Sequence, residues 1–117
     1  LPGLVKFQQW NPQSQNNHAY APVLFENEAQ LLKVEAKLKE NDIIPRRYFY
    51  PSLDTLDYLK LNTCPAGNAL GVHNTTLNHQ ACSVSRDIAS RILCLPIYPT
   101  LTEFELNKVI KLIKETL

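Results

Sequence analysis

Apolar positions fall into short blocks whose spacing changes along the chain. From Ala19 to Phe25 the residues are apolar and aromatic (Tyr20, Val23, Leu24, Phe25), which predicts a strand. Pro22 has no N–H to give a ladder, so that strand is expected at an edge or at its own beginning. Asn27 then offers an N-cap with Gln30 as its capping-box partner, and Leu31, Val34 and Leu38 follow at helical spacing. Asn41, which tolerates the left-handed conformation, is expected to end that helix. The run Ile43 to Tyr50 predicts a second strand closed by Pro51, and residues 52–60 have the spacing of one helical turn. Ser83 or Ser85 opens a further helix with Val84, Ile88 and Ile92 inward, running into a short strand at Leu93-Cys94-Leu95 that Pro96 stops. The clearest element is last. Thr102 and Glu105 form a capping box, and Leu106, Val109, Ile110, Ile113 and Leu117 make an apolar stripe.

Two stretches lack a period. Residues 1–19 are rich in Gln and Asn and read as an irregular connector, leaving 20–117 as the domain. Residues 61–82 contain Pro65, Gly67 and Gly71 among polar residues and are expected to be a loop, weakly protected from amide exchange. The order strand, helix, strand, loop, helix, strand, helix predicts an α+β architecture, a small sheet with helices on one face and the other face open.

Composition narrows the class. The chain has 117 residues, 44% of them hydrophobic and 20% charged, which excludes wholesale disorder and allows one core. Twelve basic against eleven acidic residues leave a net charge of +1, so no broad electrostatic footprint for nucleic acid or anionic lipid is expected. No apolar run is long enough to span a membrane, and no secretory leader is seen. Three cysteines (Cys64, Cys82, Cys94) are an odd number in a chain that can build a core without staples, which points to a reducing, cytoplasmic setting. There is no Met, and the opening Leu1-Pro2-Gly3 suggests a piece of a longer chain.

Candidate chemistry is sparse. Cys64, His73, His79 and Cys82 are a permitted zinc set, but their spacing lacks the closely placed ligand pairs of known sites, so no metal is expected. Asn74-Thr75-Thr76 matches a glycosylation sequon that has no use without a secretory route. Arg46-Arg47-Tyr48-Phe49-Tyr50 sets two guanidinium groups beside three rings. That grouping suits a clamp for a phosphate and a ring, as in single-stranded nucleic acid or nucleotide-sugar sites. The competing reading is a sheet strand with Phe49 in the core and solvated arginines. An autonomous nucleotide- or nucleic-acid-binding module, and a structural domain docking a partner through its open sheet face, are the functions those residues would otherwise allow.

Three segments carry a resemblance: YAPVLF (20–25), IIPRRYFYPSL (43–53) and RILCLPIYPTLTEFELNKVIKLIKETL (91–117). In order and separation they resemble the C-terminal end of the DegT/DnrJ/EryC1/StrS group, pyridoxal-phosphate-dependent aminotransferases of nucleotide-linked keto sugars. The resemblance implies the small domain of a fold-type I aminotransferase, with about three antiparallel strands, capping an active site built mainly by a preceding large domain. It also implies a homodimer at full length, an amino-acid donor and a cytoplasmic enzyme. Arg47, Tyr48, Phe49 and Tyr50 are then the expected substrate-binding residues. Phe49 stands where many members have His, and Asp54 where a second His often follows, so an imidazole contact is missing. RRYFYPSL is similar to the subgroup acting on dTDP-linked 6-deoxy keto sugars. No lysine here sits in the family's lysine motif, so the cofactor's attachment lysine, and catalytic residues generally, are expected outside this chain.

Overall fold

The computed structural model describes residues 1–56 and 82–117. It divides into two compact units, Leu1–Tyr48 with Arg91–Leu117, and Phe49–Ser90.

The first unit is built on a three-stranded antiparallel sheet of order β1-β2-β3, comprising Lys6–Phe7 (β1), Ala21–Leu24 (β2) and Ile92–Leu95 (β3). In register, Val23 faces Leu93 and Pro22 faces Cys94, while Lys6 faces Leu24. Strand alternation sends Val23 and Leu93 to one face, where helix α1 (Glu28–Lys39) and the last helix pack. Val5, Val23, Phe25, Leu31, Val34, Leu38, Leu93, Val109, Leu112 and Ile113 form the shared core. This is the expected α+β arrangement.

Several local expectations change. The lead-in contributes β1 and a core residue, Val5; Val5 and Phe7 are strand-favouring residues in a stretch otherwise rich in Gln and Asn. Lys6 and Phe7 are extended because β2 offers them a ladder. Pro22 lies in the middle strand, not in an edge strand, and is the second residue of that strand. Cys94 spends both its N–H and its C=O on Arg46, so its pairing with Pro22 is of the non-hydrogen-bonded kind. The backbone of Pro22 therefore points toward the β1 side, and β1 stops at Phe7, opposite Val23. The next rung would need an N–H that proline lacks.

The expected strand from Ile43 to Tyr50 reduces to a single antiparallel bridge, Arg46 to Cys94. Pro45 has no donor, and the chain turns at Tyr48 and Phe49, where Phe49 takes a positive φ of 49°. Helix α1 begins as expected, with the Asn27 side chain accepting from the N–H of Gln30 at 2.9 Å. The Gln30 side chain, however, accepts from the N–H of Glu26 and not from that of Asn27. The left-handed residue after α1 is Asp42 (φ 62°), not Asn41, whose side-chain amide instead donates to the C=O of Lys37.

Helix α2 spans Ser83–Arg91, with its start as expected, but Val84 (67% exposed) and Ile88 face outward and Ala89 is the buried residue. The single turn expected after Pro51 is a 3₁₀ turn at Leu53–Thr55. Helix α3, Glu103–Thr116, has both halves of the Thr102/Glu105 capping box. Its buried residues are Val109, Leu112 and Ile113, while Leu106 is 45% exposed. No helix among the described residues is long and apolar enough to cross a membrane.

Candidate functional site

In the first unit, the end of β2 fixes the start of α1. Phe25 is buried; its N–H donates to the C=O of Arg91 at 3.0 Å, and its C=O accepts from the Arg91 guanidinium at 2.8 Å. Two residues later Asn27 caps α1, which places Glu28 as the first helical residue, where an acid suits the helix dipole. The Glu28 carboxylate accepts from the Arg47 guanidinium at 2.9 Å. The Arg47 side chain is only 16% exposed, so this is a charge-assisted pair at the margin of the core rather than a loose surface contact. Next to it the Tyr48 ring meets the Tyr20 ring, centroids 4.8 Å apart and planes inclined at 51°. Tyr20 directly precedes β2, and alternation puts it on the same face as Pro22 and Leu24, opposite the helices.

Phe49 and Tyr50 belong to the second unit and are well exposed. The reading of Phe49 as a core residue is therefore wrong: the turn that gives it a positive φ carries its ring outward. The boundary between units falls inside the motif. Arg47 is brought to Glu28 and Tyr48 to Tyr20.

The second unit has its own polar network. The buried Ser52 hydroxyl donates to Asp54 at 2.5 Å and lies 2.9 Å from the Ser85 hydroxyl on α2. The Arg86 guanidinium grips the other Asp54 oxygen, with Nε at 2.6 Å. The Ser52 hydrogen bond, and then Arg86, hold the Asp54 carboxyl below its ordinary pKa against the opposing effect of desolvation. Sequence reasoning missed this network. Ser-x-Asp is a common local turn pairing, but nothing in the sequence signals an arginine 32 residues later.

The described residues do not fit attachment of a carbonyl cofactor. A lysine that forms an imine is activated by desolvation or by a neighbouring cation. Here Lys39 bonds Glu35 at 2.7 Å, Lys111 lies by Glu115, and Lys108 donates to the C=O of Asn41. Lys37 lies by Glu40, and Lys6, Lys33 and Lys114 are exposed. Among the described residues no three His, Cys, Asp or Glu side chains gather as a metal site. Cys64, His73 and His79 lie outside them, as does the Asn74 sequon. Cys94 is a buried thiol whose pKa burial raises and Arg46 partly offsets, which suits a small core residue.

The profile of the DegT/DnrJ/EryC1/StrS aminotransferase family matches residues 1–114. An Escherichia coli protein named dTDP-4-amino-4,6-dideoxy-D-glucose transaminase is 27% identical over 114 residues, covering 96% of this chain and 27% of its own. A Shigella dysenteriae protein of the same name is 33% identical over 104 residues, covering 86% of this chain and 24% of its own. The chain spans about a quarter of the length of these relatives.

Proposed function

Because the chain belongs to the DegT/DnrJ/EryC1/StrS aminotransferase family, we propose that it is the C-terminal small domain of a cytoplasmic enzyme that aminates a nucleotide-linked keto-deoxy sugar. The observation that supports this most is the extent of the family match, which includes the first two co-ordered segments and the third as far as residue 114. The shared name of the two relatives favours a dTDP-linked 4,6-dideoxy sugar as the substrate class.

Pyridoxal phosphate, when bound, supplies the electron sink for transamination. The cofactor's attachment and the amino-donor chemistry are assigned to a large domain outside this chain, as the family resemblance implies. A homodimer is the expected assembly. The part proposed for this chain is to cap the active site and present Arg47, Tyr48, Phe49 and Tyr50 to the nucleotide sugar.

The test is to introduce Arg47→Ala and Tyr50→Phe into the full-length enzyme and to measure each half-reaction separately. Losing a charge-assisted hydrogen bond costs about 1.5–3 kcal/mol, on the order of tenfold or more in apparent sugar affinity. Losing a tyrosine hydroxyl bond to a neutral group costs on the order of 1 kcal/mol. Arg47→Ala is therefore the larger defect, with the amino-donor half-reaction largely intact. If both variants keep normal sugar kinetics and lose only thermal stability, the segment is structural.

A further inference from the structure

Tyr20 and Glu28 lie outside the Arg47–Tyr50 motif, yet each contacts one of its members. We propose that they are positioning residues, which set the pose of Tyr48 and Arg47 toward the nucleotide sugar. This rests on the reading of the motif as substrate-facing.

Among the described residues no regular strand continues the chain beyond the Arg46 to Cys94 bridge. At Arg47 and Tyr48 the side-chain contacts with Glu28 and Tyr20 therefore bear on the pose. Both contacts come from rigid elements. Tyr20 is joined directly to β2, whose first residue, Ala21, pairs with Leu95. Glu28 is the first residue of a capped helix. Its partner is 19 positions away in sequence, so the ion pair ties the helix start to the motif. The ring pair lies within the distance range at which tilted aromatic pairs attract.

A group fixed by such anchors before substrate arrives loses less freedom on binding, and that saving is read as affinity. The positive charge of Arg47 is also balanced by Glu28 in the free state. Glu28 thus sets where the guanidinium stands when an anionic ligand approaches.

The experiment uses the full-length enzyme and titration calorimetry with dTDP-4-amino-4,6-dideoxy-D-glucose as the probe, with melting temperature recorded for each variant. Tyr20→Leu and Glu28→Gln are expected to raise Kd about three- to tenfold. Tyr20→Phe, which keeps the ring, is expected to stay within about twofold of the parent. Arg47→Ala and Tyr48→Leu serve as references for the motif itself. If the references weaken binding but Tyr20→Leu and Glu28→Gln bind like the parent, the positioning role is overturned and the motif reading stands. If the references also bind normally, the motif reading fails and takes the positioning role with it. If Tyr20→Leu and Glu28→Gln lower the melting temperature without changing Kd, their role is structural and the proposal is again overturned.

Discussion

Replacing Leu112 with alanine should destabilise the chain far more than replacing Leu106, although the apolar stripe read from the sequence includes Leu106 and omits Leu112. Leu112 is 8% exposed and belongs to the core between α3, α1 and the sheet; Leu106 is 45% exposed. Leucine to alanine removes roughly three methylene equivalents, about 0.8 kcal/mol each when buried, and leaves a cavity whose cost adds to that. For Leu112 the sum is about 2.5–4 kcal/mol. For Leu106, half in water already and replaced by an equally good helix former, it should stay below about 1 kcal/mol. Urea denaturation followed by circular dichroism reads the difference as a midpoint shift, on the order of 1–2 M for Leu112→Ala at an unchanged m-value. A Leu106→Ala loss equal to or larger than that of Leu112→Ala would refute the packing of α3 described above.

Mixing the chain with pyridoxal phosphate and borohydride should leave none of the described lysines stoichiometrically modified; mass spectrometry finding one of them so modified would contradict their surface setting. The Asp54 network should be sensitive to acid. Because the folded-state pKa is lowered, its stabilisation is fully present above the ordinary aspartate value of about 3.9 and is lost as pH falls through the folded value. The stability gap between parent and Asp54→Asn should therefore be constant near neutrality and close below about pH 4; a gap that widens with acid would reverse the assignment. Thr102→Ala should cost about 1 kcal/mol, since it removes the acceptor for the Glu105 N–H and the donor to the Glu105 carboxylate, and a denaturation midpoint equal to the parent's would show the cap to be idle.

What could be read in advance was what is local. The caps at Asn27 and Thr102 and the α1 stripe Leu31, Val34, Leu38 are set by residues within four positions of one another, and they stand as expected. Some of the misjudged features are set by partners distant in sequence. Lys6–Phe7 is a strand only because Val23 and Leu24 lie beside it. The segment after Ile43 has strand composition, but proline at 45 and the turn at Tyr48 leave one bridge. In helix α2 the expected inward residues Val84 and Ile88 are exposed and Ala89 is buried. The site follows the same division. Arg47 and Tyr48 were legible as a charged and aromatic pair, whereas Glu28 and Tyr20, 19 and 28 positions upstream, were not.

Pro22 has a consequence for solubility. β1 covers β2 only at Val23 and Leu24, so among the described residues no strand pairs with the outer side of β2 at Ala21 and Pro22. An open stretch of ladder is a template on which another polypeptide can add itself. Proline there offers the newcomer no donor and projects its ring into the space an incoming backbone would occupy. Valine at 22 would have higher strand propensity and would give the rung opposite Gln8 its N–H. It would also turn a blunt end into an adhesive one, so Pro22→Val should gain order at the sheet margin and lose solubility at high concentration.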